Sequence, residues 1–192
     1  MWRKHQMTFR TALTASAAAI AIATGALAAS HGNPMVGGAE MSPDKTIVEN
    51  ASASADHTTL VAAVQAADLV ETLSGEGPFT VFAPTNAAFE ALPEGTVEDL
   101  LKPENKEQLA KILTCHVVAA EAMSDAIKGM IDDHNGTHPV ETVGGCTLQA
   151  TYEGDTIMLE DETGNTATVT IADVDQSNGV VHVIDAVMLP QM

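Results

Sequence analysis

Two apolar strand-and-turn segments, far apart in the chain, limit what it can fold into. The first is Gly77-Pro78-Phe79-Thr80-Val81-Phe82-Ala83-Pro84-Thr85-Asn86-Ala87-Ala88-Phe89. Residues 79–82 are β-formers. Pro84 has no N–H to give a ladder and predicts the strand's end. Thr85 is placed to cap a short helix that carries Phe89. The second segment runs Asn178-Gly179-Val180-Val181-His182-Val183-Ile184-Asp185-Ala186-Val187-Met188-Leu189-Pro190. Its Asn-Gly pair is a turn signal, and the nearly unbroken apolar run after it predicts a strand buried on both faces.

These residues resemble the two signature segments of the fasciclin domain family, in the right order. Between them, Leu113-Thr114-Cys115-His116-Val117-Val118 lies where that family has a Tyr-His pair. His116 matches and Cys115 stands in place of the tyrosine. The resemblance runs from about Asn33 to Pro190, one domain in length. The segment Asn33-Pro34-Met35-Val36-Gly37-Gly38 is similar to bacterial single-domain members. The resemblance implies a wedge of two β-sheets with short helices packed along one edge. It also marks Thr85, Asn86, Phe89, His116, Asn178, Gly179, His182 and Asp185 as motif residues.

Residues 1–28 read as a secretory signal peptide. Arg3, Lys4 and Arg10 form its basic end, residues 11–28 its apolar run, and Ala26-Leu27-Ala28 a small-x-small cleavage site. The small residues and the cleavage site make a transmembrane helix the poorer reading. No cysteine follows the run, which argues against a lipoprotein signal. Cleavage is expected before Ala29. Nothing later is long and apolar enough to span a bilayer, so the mature chain is expected in the periplasm or outside the cell. Residues 29–44 are expected to form an extended arm, and residues 45–192 the domain.

The leader takes three of eight basic residues and none of the 26 acidic ones, so the formal charge moves from −18 to −21 on its removal. Five lysines and no arginine remain. Such a chain is not expected to bind nucleic acid, which demands Lys and Arg against phosphate. Its charge predicts a soluble monomer, with a salty habitat and loose cation capture as other readings. The one tryptophan, Trp2, lies in the leader. Of the four mature aromatics other than histidine, three sit in the first signature, which leaves little to stack on sugars.

Helical patterns come first and strands last, which predicts an α+β fold. A short helix is expected within residues 45–54. Another follows Thr58-Thr59, carrying Leu60, Val61 and Val64. Asn105 and Gln108 read as a capping box before Leu109, Ile112 and Leu113. Residues 115–118 read as a strand, 123–130 as a short helix and 132–137 as a polar loop. Strands are expected at 140–143, 146–152, 156–160 and 166–174.

Four groups are candidates for chemistry. Residues 173–179 begin like a calcium loop, but Asn178 occupies the position that needs glycine and Ile184 the one that needs an acid. A turn between strands is the better reading. His134 and His138 are four apart, but Asn135-Gly136 and Pro139 make the segment a loop rather than a zinc-binding helix face. His116 and His182 have no Gly-x-Ser-x-Gly elbow beside them and are expected to satisfy backbone groups in the core. Asn86 and Asp185 are expected to hold turns. Two cysteines in an exported chain, Cys115 and Cys146, imply one disulfide by default, the alternatives being free thiols or an intermolecular link. A nucleophilic Cys115 beside His116 is disfavoured, because neighbours on a strand face opposite ways.

No catalytic set, cofactor motif or metal site is expected. The resemblance implies cell adhesion, through contact with an unidentified surface, matrix polymer or protein partner. The alternatives are a soluble binder of a small or lipid-like ligand and, last, an exported hydrolase.

Overall fold

The structure, a computed structural model, describes residues 33–191. The expected leader and the first residues of the arm lie outside them. From Asn33 the chain is not simply extended. Met35–Val36 (β1) and Ala39–Glu40 (β2) pair antiparallel. Gly37 and Gly38, at φ 58° and 76°, form the tight turn between them, as a two-residue hairpin of this hand requires. Val36 and Met41 pack on Val174 and Val183, so the hairpin belongs to the domain's core.

Six short helices follow, interrupted by a single strand: Ile47–Ala53 (α1), Thr58–Ala66 (α2), Val70–Leu73 (α3), Phe79–Pro84 (β3), Asn86–Glu90 (α4), Thr96–Leu100 (α5) and Lys106–Thr114 (α6). Then come Val117–Val118 (β4), Ser124–Asp133 (α7), His138–Glu141 (β5), Thr147–Glu153 (β6), Thr156–Glu160 (β7), Thr166–Gln176 (β8) and Gly179–Ile184 (β9). The fold is α+β, as the pattern of elements predicts.

Seven strands run in the order β4-β3-β9-β8-β7-β6-β5. β3 and β9, the two signature strands, lie parallel and adjacent, second and third from the β4 edge, from Phe79 opposite Gly179 to Pro84 opposite Ile184. Every other neighbouring pair is antiparallel. β8 spans both sheets of the wedge. Its start pairs with β7 and its end with β9, and register shifts between Val169 and Val174 break the ladder between them. Bulges bend a strand and raise its twist, which is how one strand serves two sheets.

One core lies between the helices and β3: Leu60, Val64, Val81, Phe89, Leu109 and Ile112 are among its members. The other lies under α7, where Ile127 and Ile131 meet Phe82, Leu148, Leu159 and Ile184. In β6 and β7 alternate residues point inward, so Leu148, Ala150, Ile157 and Leu159 are buried while Thr156 and Glu160 face water.

Several local expectations are corrected. Thr58 and Thr59 are helical residues of α2 and not its cap. The position before them is His57, whose side chain makes no capping bond. Asn105 precedes α6, but its side chain donates to the Asp99 carbonyl at 2.7 Å instead of capping the helix. The capping box lies at α1, where Thr46 and Glu49 satisfy each other's backbone N–H. Cys115 does not begin a strand. Its N–H closes the last turn of α6 on the Lys111 carbonyl at 3.0 Å, and β4 starts at Val117. The opposite-face argument for Cys115 and His116 therefore does not apply. Asp132 and Asp133 belong to α7, so the polar loop is confined to residues 134–137.

Candidate functional site

The signature residues gather around β3 and β9, and their side chains join elements distant in sequence. Asn178 sits in the turn between β8 and β9. Its Oδ1 accepts from the Ile47 N–H at 3.1 Å, and its Nδ2 donates to the Leu73 carbonyl at 2.8 Å and the Gly75 carbonyl at 3.0 Å. One amide thus satisfies an orphan donor opening α1 and orphan acceptors closing α3. Gly179, at φ 151°, passes so close to β3 that a Cβ there would lie 1.9 Å from the Phe79 carbonyl oxygen. Only glycine allows that approach.

Thr85 accepts from the Ala88 N–H at 3.3 Å and caps α4, as its sequence predicts. Asn86 accepts from the Thr59 N–H at 3.0 Å and donates to the Ala55 carbonyl at 2.9 Å. It is the cap that α2 lacks locally. Phe89 is buried in the helical core. Asp185 accepts from the Thr168 N–H at 2.7 Å and ties the end of β9 to β8. Asp173 lies in β8 at φ 57°, and its Oδ1 accepts from the Ser124 N–H at 2.6 Å, capping α7. Residues 173–176 are strand, and only Ser177 and Asn178 form a turn.

Both signature histidines are buried, and the two rings lie apart in separate roles. His116 places Nδ1 2.8 Å from the Ile112 carbonyl, and its Nε2 accepts from the Met188 N–H at 3.0 Å. This pattern requires the neutral tautomer with the proton on Nδ1. Desolvation pushes its pKa down to about 4. His182 stacks on Phe82 with ring centroids 5.7 Å apart. Its Nε2 meets the Ala122 carbonyl at 2.8 Å and its Nδ1 accepts from the Asp173 N–H at 3.3 Å, so its proton is on Nε2. Burial lowers its pKa, and that of the buried His57 as well. Neither signature ring has a free nitrogen to act as a general base.

These shifts make stability depend on pH. A histidine held neutral in the fold stabilises it fully above the unfolded pKa, and the contribution is lost as pH falls toward the folded pKa. For His116 the window runs from 6.5 to about 4, worth about 3 kcal/mol at about 1.4 kcal/mol per unit. His57 and His182 act in the same direction. Asp161 adds a loss at lower pH. Burial alone would raise its pKa, but hydrogen bonds from Leu189, Thr163 and Asn165 outweigh that and bring it below the usual carboxylate range. Urea denaturation at pH 7.5 and 4.5 is expected to show a marked fall in stability, with a shallower fall in His116→Gln. Equal stability at the two pH values would contradict these assignments.

Cys115 and Cys146 are disulfide-bonded, with Cα atoms 5.4 Å apart. The bond staples the end of α6 to the start of β6. Next to it the Val143 N–H donates to the Val117 carbonyl at 2.8 Å and the Gly144 N–H to the Thr114 carbonyl at 3.0 Å. The two outer strands, β4 and β5, are thereby drawn together at one end. At the other end they part, and a cleft of about 240 Å³ opens between them. Two cavities inside the cores are each about 30 Å³, room for about one water, and an open groove of about 410 Å³ lies beside the β8–β9 turn, lined by Thr46, Ser74, Glu76, Pro78 and Asn178 among others.

The loop after α7 brings His134 and His138 together, their Nδ1 atoms 3.2 Å apart. His134 Nδ1 also faces the Met130 carbonyl at 2.8 Å. Among the described residues, no group of three or more His, Cys, Asp or Glu side chains is placed to hold a metal ion. No helix among them is long and apolar enough to cross a membrane.

The family model of the fasciclin domain matches residues 55–190. Protein sll1483 of Synechocystis is 52% identical over 147 residues, covering 77% of this chain and 74% of that protein. The cell surface glycolipoprotein MPB83 of Mycobacterium bovis is 40% identical over 123 residues, covering 64% of this chain and 48% of that protein. The transforming growth factor-beta-induced protein ig-h3 of Sus scrofa is 36% identical over 148 residues, covering 77% of this chain but 20% of that protein. A solved FAS1 domain pair from the insect cell adhesion molecule Fasciclin I superposes with a TM-score of 0.52 at 26% identity, over 66% of this chain and 42% of that one.

Proposed function

This chain belongs to the fasciclin domain family, and from that membership we propose that it is an exported, non-enzymatic adhesion protein. It attaches its cell to a surface, a matrix polymer or another cell, from the periplasmic or outer side of the membrane. The observation that carries this reading is its similarity to a cell surface glycolipoprotein and to a cell adhesion molecule. The buried, fully bonded state of His116 and His182 supports the non-enzymatic part, since neither is presented to a substrate. Attachment then falls to exposed loops and helices, where binding residues concentrate. With a mature charge of −21, contact with an anionic polymer needs bridging cations, and contact without them needs a basic partner. Either is screened by salt.

A deletion strain tests this reading. It is expected to attach less well than its parent, with recovery on complementation and a dependence on ionic strength or divalent cations. Equal attachment by all strains, with and without calcium, would overturn it.

A further inference from the structure

We propose that the cleft between β4 and β5 is a binding site for a small amphiphilic cation, an ammonium group carried on an alkyl or aryl tail. The cleft is the place where the two sheet edges fail to meet. Its base is apolar and buried, with Phe82 from β3 and Ile127 from α7. Val118, Met130 and Val140 extend the apolar lining toward solvent. Its volume of about 240 Å³ equals that of on the order of eight waters, enough for a short tail and too small for a folded domain. The two cavities within the cores are too small, at about 30 Å³ each, and the open groove of about 410 Å³ beside the β8–β9 turn has Pro78 as its one apolar side chain and so offers a tail no apolar base.

The walls are fixed before any ligand arrives. Thr80 Oγ1 donates to the Ala120 carbonyl at 2.6 Å and accepts from the Ala122 N–H at 2.9 Å. His182 Nε2 donates to the Ala122 carbonyl. The disulfide and the bonds from Val143 and Gly144 close the opposite end. A preformed apolar slot spends little free energy on ordering when it binds.

Charge selects the headgroup. Glu121 stands exposed on one wall and Glu141 on the other, and both line the cleft. His138 lines it as well, but no lysine does. A cationic head between two carboxylates gains from both, while an anionic head meets like charge and a chain of strong negative charge behind it. The ligand therefore differs from a fatty acid by the sign of its head.

Titrating the folded protein with octylammonium, octanoate and tetramethylammonium, followed by amide chemical shifts and calorimetry, tests the site. Octylammonium is expected to bind about tenfold more tightly than octanoate at low salt, a difference of the size two exposed carboxylates can supply. Its shifts are expected to centre on Val118, Met130 and Val140, and tetramethylammonium is expected to leave them unmoved. Glu121→Gln with Glu141→Gln is expected to bring the two tailed ligands to within about twofold of each other. Ala120→Trp, a change at an exposed position on the rim, is expected to block both. Equal or tighter binding of octanoate, an unchanged preference in the double variant, or shifts scattered over the acidic surface would each overturn the proposal. So would an absence of shifts in the cleft. None of these outcomes bears on attachment, which is read separately in cells.

Discussion

Replacing Asn178 with alanine is expected to cost about 3 kcal/mol or more, although the side chain is small and sits in a turn. The amide makes three bonds, those to Ile47 and Leu73 buried and that to Gly75 partly so. Alanine leaves one N–H and two carbonyls without their partner, each at roughly 1–3 kcal/mol when buried. Three elements are loosened together: the start of α1, the end of α3 and the turn into β9. Asn178→Asp is expected to be no better. It keeps an acceptor for Ile47 but sets a carboxylate oxygen against two carbonyls. Urea denaturation of the folded domain reads the change as a shift in midpoint. A loss below about 1 kcal/mol would mean that water replaces the amide, and the bridging role would be wrong.

Removing the disulfide through Cys115→Ala with Cys146→Ala is expected to cost about 3–4 kcal/mol, the chain-entropy value for a loop of this length. The two residues are 31 apart in sequence, and the loop between them contains β4, α7 and β5. The loss has a local consequence as well. The bonds of Val143 and Gly144 across the β4–β5 junction lose their covalent support, so hydrogen exchange there is expected to speed up more than in β3 or β9. A double variant as stable as the parent, with unchanged exchange at Val143 and Gly144, would show that the sheet edges hold without the bond.

What the sequence made legible was local. Thr85 and the helix after it are written within five residues, and the alternation at the start of β8 shows which side chains face inward up to Val169, where the register shifts reverse it. The Thr46-Ile47-Val48-Glu49 box is as legible in the sequence as the pair Asn105 and Gln108, and the side chain of Asn105 turns to Asp99 instead of capping. Cys115 looked like a strand residue because apolar residues follow it. In fact α6 carries its hydrogen-bonding pattern one residue further than the pattern of side chains suggests. The parallel pairing of β3 with β9 is a long-range choice that no local signal encodes. The partners of Asn178 and Asn86 are hidden for the same reason. Asn178 reaches across 131 residues to Ile47, and Asn86 across 27 to Thr59. A turn signal at Asn178-Gly179 is visible in sequence, but nothing shows that its side chain will also cap two helices. The cleft is harder still to foresee, because it arises where β4 and β5 do not pair.

Attachment by the isolated domain is the most direct measurement. Beads carrying residues 29–192 are passed over surfaces coated with a basic protein, or with an anionic polymer in the presence and absence of calcium. Beads carrying the same chain after reduction, alkylation and unfolding are the comparison. Folded protein is expected to hold beads to the basic surface, or to the anionic one when calcium is present, and to release them as salt rises toward 1 M, where screening acts within about 3 Å. Retention no greater than that of the unfolded chain on every surface would contradict adhesion as the work of this domain.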